Sequence, residues 1–135
     1  MWSYQAPLRD MRFVLEHWLQ APEAWRRSSV FEALDLPLAV QVLEEAGRFS
    51  SGILAPLNSI GDRQGCRLAE GRVTTPDGFA DAYRAYVEGG WPALACAEAL
   101  GGQGLPQVLD AALQEMLYAS NHAWAMYTGI AHGAY

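Results

Sequence analysis

Three histidines, two cysteines and one glycine-rich turn are the residues of this 135-residue sequence best suited to carry chemistry. His17, His122 and His132 include no pair at the i, i+4 spacing that puts two ligands on one helical face. Cys66 and Cys96 lie far apart without a CxxC partner, so neither a zinc site nor a disulfide framework is indicated. They read as free, unreactive thiols. Gly101-Gly102-Gln103-Gly104 resembles a phosphate cradle only superficially. It lacks a following Gly-Lys-Ser/Thr, and no third glycine completes GxGxxG between a strand and a helix. A tight turn between helices is the expectation there. These patterns assign no catalytic, metal-binding or cofactor-binding residue to the chain.

A different signal lies in Asn121 to Tyr135, NHAWAMYTGIAHGAY, where bulky aromatics mix with alanine and glycine around a helix. No polar face is left for water. Such a helix is expected either to be buried on every side or to line an apolar ligand pocket. Trp124, Thr128 and His132 stack on one face at four-residue steps, with Ala125 beside them.

Helices must position these residues, since helical periodicity dominates the sequence. Pro7 opens a first stripe of Met11, Val14, Leu15, Trp18 and Leu19, which Ala21-Pro22 is expected to stop. Asp35 is a candidate N-cap, with Pro37 in the first turn, before a long stripe of Leu38, Val42, Phe49, Ile53 and Leu57. Pro56 should kink that helix or begin its end, and Gly61-Asp62 should finish it. Residues 61–75 read as an exposed loop or small hairpin. Thr75-Pro76-Asp77 repeats the cap-then-proline signal before Phe79, Tyr83, Tyr86 and Val87, and Gly89-Gly90 closes that helix. Val108, Leu109, Ala112, Leu113, Met116 and Leu117 form a strong stripe, and Ser120 or Asn121 is placed to cap the last helix. Phe13, Trp18, Phe49, Phe79 and Tyr83 are expected in the core. Five to seven helices and no sustained strand alternation give an all-α fold, a helical bundle.

Composition narrows the function classes. Apolar residues make up 51% and charged residues 18%, enough for a packed core. The net charge of −6 argues against nucleic acid, which needs clustered cations. No apolar run has the length of a membrane span, and the charged N-terminus lacks a signal-peptide core. A cytoplasmic protein is expected.

Several motifs occur in an order that resembles one family. They are Y-x-A-P-L-R-D-M-R-F-V-L (Tyr4 to Leu15), L-E-E-A-G-R-F (Leu43 to Phe49), L-A-P-L-N (Leu54 to Asn58) and G-D-R-Q-G-C (Gly61 to Cys66). Y-V-E-G-G-W-P (Tyr86 to Pro92), L-G-G-Q-G-L-P (Leu100 to Pro106) and E-M-L-Y (Glu115 to Tyr118) follow. Together they resemble the N-terminal helical domain of acyl-CoA dehydrogenases, in a bacterial subgroup that includes enzymes for 3-methylmercaptopropionyl-CoA. Leu100 departs from the aromatic usual before the glycines, and Leu94 to Ala99 diverge.

The resemblance implies residues 1–34 as the subgroup's N-terminal extension and residues 35–135 as the helical domain. It implies that a flavin-binding β-barrel and a C-terminal bundle follow in the full-length enzyme. FAD would lie between those parts, and a glutamate there would remove the α-proton while hydride passes to flavin. Acyl-CoA would be the substrate, electron-transfer flavoprotein the electron acceptor and a homo-oligomer the assembly. Trp124, Ala125, Thr128 and His132 would belong to the wall of the acyl pocket. The chain alone would be colourless and inactive, with its last helix hidden by self-association. A free-standing helical module that binds a partner subunit or apolar ligand without catalysis is the alternative, and a dehydrogenase split over two chains is a third reading.

Overall fold

The computed structural model describes residues 3–133, and the side chains of residues 3–130. Among them, seven α-helices and one short hairpin follow one another in the chain. Helix α1 (Leu8–Phe13) continues into a π-helical turn, Val14–Trp18, and α2 spans Ala21–Arg26. Helix α3 (Leu36–Phe49) runs through a second π-helical turn, Ser50–Leu54, into α4 (Ala55–Gln64). Strands β1 (Arg67–Ala69) and β2 (Arg72–Thr74) pair antiparallel, Arg67 opposite Thr74. Helices α5 (Phe79–Glu88), α6 (Gln107–Ser120) and α7 (His122–Gly133) complete the fold. The all-α expectation holds, and the hairpin falls within the segment expected as loop or hairpin.

Helix α6 is the central element. Leu109, Leu113, Met116 and Leu117 are fully buried, in agreement with the stripe seen in the sequence. Asp35 caps α3 by accepting a hydrogen bond from the Leu38 amide at 2.9 Å, and Asn121 caps α7 by accepting at Oδ1 from the Trp124 amide at 3.1 Å. The core of the bundle is continuous with Met11, Leu15, Ala21, Trp25 and Leu34, so the N-terminal segment packs on the same core as the rest.

Elsewhere the structure corrects the sequence reading. Ala21-Pro22 does more than stop a helix. The first helix already ends before Gln20, which takes a left-handed conformation at φ 48°, and Pro22 then sits in the first turn of α2. The buried side of α3 is turned by about one residue from the expected stripe. Ala39, Leu43, Ala46, Phe49 and Leu54 face inward, while Leu38 and Ile53 are exposed. Small residues win the inner face because they permit close approach: a Cβ on Gly47 would sit 3.1 Å from the Ala6 Cβ.

Pro56 lies in the first turn of α4, just after the π turn whose Ala55 amide reaches back to the Ser50 carbonyl. The wider turn marks the place where proline cannot donate to the helical ladder. Gly61-Asp62 does not end the helix, which continues to Gln64 and stops at Gly65, φ 59°. The Thr75-Pro76-Asp77 signal lies early. Gly78 is the N-cap of α5, and Asp77 is engaged with Gln64 through both its amide and its carboxylate. Phe13, Trp18, Tyr83 and Val87 are exposed rather than core, with Trp18 at 78%. Amphipathic spacing identifies a stripe, but neighbouring elements decide which edge of it they cover.

Candidate functional site

The last helix buries one side only. Trp124 and Ala125 have no exposed surface and Thr128 is 5% exposed, whereas Met126, Tyr127 and Ile130 are turned outward. The expectation of burial on every side is therefore not met within the described residues. What selects the inward side is polar chemistry. Asn121, fully enclosed, donates from Nδ2 to the Leu54 carbonyl at 3.2 Å, tying the start of α7 to the π turn. One turn later the Trp124 indole Nε1 donates to the Phe79 carbonyl at 3.1 Å. Its ring meets Tyr86 edge-on at 5.4 Å and Phe49 at 6.1 Å. Another turn on, Thr128 Oγ1 donates to the Ala125 carbonyl at 2.9 Å.

Behind Thr128 lies a buried polar cluster. The Tyr86 phenol lies among Thr128, Gln114 and Asp110. Gln114 Nε2 in turn donates to Asp110 Oδ1 over 3.5 Å, and Asp110 is buried in α6. Burial, with the Asp110 carboxylate nearby, pushes the Tyr86 phenol up to about 12, so it remains a neutral donor at any physiological pH.

In front of the helix is an apolar groove of about 450 Å³ between α5 and α7. Phe79, Ala80, Tyr83 and Arg84 line it from α5, Trp124 and Tyr127 from α7, with Thr75 at one end. Tyr127 stands edge-on to Phe79 at 6.2 Å, and its hydroxyl lies 3.3 Å from Cys66 Sγ on the segment leading to the hairpin. Gly61 is required for this wall, since a Cβ there would meet the Phe79 ring at 2.6 Å. Arg84 is paired with Asp81 on its own helix, leaving the groove dominated by aromatic surface.

Of the four residues singled out from the sequence, Trp124 lies under the floor of this groove. Ala125 and Thr128 face the interior behind it. His132 belongs to α7 by its backbone, and its side chain lies outside the described residues. The sequence reading misses Phe79, Ala80, Tyr83, Arg84 and Tyr127 as groove residues. Their signal is present only as an aromatic and alanine pattern shared by any core helix.

The other candidate chemistry is absorbed by structure. His17 is exposed beside Glu16 and Phe13, and the His122 ring stands against Tyr118 at 5.0 Å. Both cysteines are free, Cys66 exposed and Cys96 buried. Among the described residues no group of three His, Cys, Asp or Glu side chains could hold a metal ion, and no helix is long and apolar enough to cross a membrane.

The glycine turn cannot cradle a phosphate. The amides of Gly102, Gln103, Gly104 and Leu105 are donated to the carbonyls of Ala97, Ala93, Cys96 and Leu94. The backbone at Gly102 is packed so tightly on Cys96 that a Cβ would lie 2.0 Å from its carbonyl oxygen. That turn therefore does not fit a flavin diphosphate.

Two curated proteins resemble the chain. No family model matches the chain. It is 38% identical over 132 residues to the 3-methylmercaptopropionyl-CoA dehydrogenase of Ruegeria pomeroyi, a match that covers 98% of this chain and 22% of the relative. It is 30% identical over 131 residues to the broad-specificity linear acyl-CoA dehydrogenase FadE5 of Mycobacterium tuberculosis, covering 96% of this chain and 21% of that protein. The chain thus spans about one fifth of the length of these relatives. Homologous to them over nearly its whole length, it belongs, as a segment, to the acyl-CoA dehydrogenase family.

Proposed function

We propose that the chain is the N-terminal helical domain of a FAD-dependent enzyme that desaturates an acyl-CoA thioester between its α and β carbons, with residues 1–34 as an extension and 35–135 as the domain proper. The observation that carries this reading is the match to two acyl-CoA dehydrogenases, which runs through α5 and α7 together. The relatives are named for 3-methylmercaptopropionyl-CoA and for linear acyl-CoA, and a slender, unbranched acyl chain suits a groove walled by aromatic faces. In this proposal α7 is a wall of the acyl pocket. Trp124 underlies its floor, Ala125 and Thr128 lie behind it, and His132 is placed on the same wall by its position in α7 alone.

FAD, electron-transfer flavoprotein and the desaturation itself belong to other parts of the full-length polypeptide. A chain limited to these residues is colourless and inactive towards acyl-CoA. A homo-oligomeric, cytoplasmic enzyme completes the reading, and the outward Met126 and Ile130 suit a surface that a neighbouring domain or subunit covers.

The test is a chain-length profile in the full-length enzyme. Ala80 is exposed on the groove, so Ala80→Phe adds bulk there without disturbing the core. It should shorten the preferred acyl chain, with each excluded methylene forfeiting about 0.8 kcal/mol, or about fourfold in kcat/KM. Thr128→Trp should act in the same direction from behind the wall. An Ala80→Phe enzyme with the parent profile would remove the groove from the acyl site.

A further inference from the structure

Gly61 lies inside α4, which runs past it to Gln64. A glycine within a helix weakens it relative to alanine, since glycine loses more backbone freedom on folding. Neither a cap nor a turn accounts for this one, because its φ is not positive and the helix does not end there. What occupies the place of its side chain is the ring of Phe79. A Cβ on Gly61 would lie 2.6 Å from Phe79 Cζ and 3.1 Å from Cε1. Gly52, in the preceding π turn, has nothing within 4 Å of the same position, so there the missing side chain leaves open space. Only at Gly61 of these two is the absence of a side chain put to use.

Phe79 is also where the two walls of the groove are tied together. Its carbonyl accepts from Trp124 Nε1 at 3.1 Å, which pins the α5 backbone to α7 at this residue. Its ring lines the groove, stands edge-on to Tyr127 at 6.2 Å and is enclosed on its remaining sides, with 3% of the residue exposed. A close-packed interior yields little, whereas the groove is empty space. The ring of Phe79 is the free end of a side chain that can pivot about its Cα–Cβ bond. Pushed from Gly61, with its backbone held and the core behind it, the ring has the groove to move into.

We infer that Gly61 sets the depth of the acyl groove from behind, by leaving Phe79 room to lie back, and that a side chain at position 61 shortens the acyl chain the enzyme prefers. The inference rests on the proposal that this groove holds the acyl chain. Gly61 does not line the groove, so it is a positioning residue that acts through Phe79. The methyl of an alanine would sit about 0.8 Å inside the 3.4 Å at which ordinary contact begins. The ring must give way by that amount, a displacement of the order of the length one methylene adds to an extended chain.

The experiment compares full-length enzymes carrying Gly61→Ala, Phe79→Leu and both changes on a series of acyl-CoAs of increasing length. Gly61→Ala should lower kcat/KM for the longest accepted chain, relative to the chain one methylene shorter, by about fourfold, acting mainly through KM. Phe79→Leu removes the ring tip that position 61 meets, so adding Gly61→Ala to it should leave the ratio where Phe79→Leu alone puts it. A Gly61→Ala enzyme that changes in heat stability but keeps the parent ratio would overturn the inference, leaving the glycine purely structural. An equal shift with and without the Phe79 ring would overturn it too, since the effect would not pass through that ring. Should Gly61→Ala not fold, Gly61→Val in the Phe79→Leu background overfills the space the ring tip leaves and reads the same ratio: a move towards shorter chains supports the depth role, and an unmoved ratio overturns it. If Ala80→Phe shifts the profile and the Gly61 variants do not, only the depth role fails. If Ala80→Phe is also silent, the groove itself is misassigned.

Discussion

Helices α6 and α7 are consecutive and both rich in apolar residues, but they are held in the bundle by different means. Helix α6 presents a leucine and methionine stripe on one side, with Gln107, Ala111 and Glu115 on exposed positions, so its rotation follows from hydrophobic burial even though it also encloses Asp110 and Ser120. Helix α7 is apolar nearly all round, and burial cannot choose between its sides. Its rotation is set by Asn121 Nδ2 and Trp124 Nε1, each bonded to a carbonyl on another element, whereas Thr128 bonds within α7. An element without amphipathic contrast needs directional bonds to settle in one orientation. The outward surface left over, Met126, Tyr127 and Ile130, is then available to whatever function requires.

The largest test of this contrast is Trp124→Ala, which removes a fully buried indole and its bond to Phe79. It should cost about 3–5 kcal/mol in urea unfolding. A cost below about 1 kcal/mol would mean that α7 docks by general apolarity after all.

A second test uses pH. The unfolded Tyr86 phenol ionises near 10.0, whereas the folded one holds its proton to about 12. Between those values only the unfolded state loses the proton, so stability should be level below pH 10 and fall as pH rises beyond it. The Tyr86 contribution is on the order of 2–3 kcal/mol. Tyr4 and Tyr127 are also raised and add to the slope, so the difference between the parent chain and Tyr86→Phe isolates the buried phenol. Identical alkaline slopes in the two would mean that the phenol beside Trp124 is not enclosed as described.

The smallest expected effect is Ile130→Ser. Ile130 is 73% exposed, and the change should lie within about 0.5 kcal/mol for the isolated chain. A large loss there would show that the outer side of α7 is covered, against the described arrangement.

The same contrast explains what is legible in the sequence. The α6 stripe, the Asp35 cap and the Asn121 cap follow from local rules, and each reappears in the structure. The expected face of α3 is displaced because leucine and isoleucine outweigh alanine in any apolar pattern, while packing favours Ala39 and Ala46 where helices touch. Trp18 departs from expectation for a related reason, since apolar periodicity records what a helix offers and not what arrives to cover it. The groove is illegible because its two walls come from α5 and α7, Phe79 and Trp124 lying 45 residues apart, and meet through long-range contacts such as the Trp124 bond to Phe79 and the Tyr127–Phe79 ring pair. Trp124 stands out in the sequence, but nothing there connects Tyr86 and Phe49 to it, since no local spacing links rings on three different helices.

The two cysteines carry a practical consequence. Cys96 is sealed beneath the Gly102 turn, while Cys66 is exposed and touches Tyr127 at the edge of the groove. Within these 135 residues Cys66 is thus the exposed thiol, and it lies beside the candidate binding surface. An environment-sensitive fluorophore attached there needs no engineered cysteine, and its emission would register an acyl chain arriving or leaving in real time, independent of turnover.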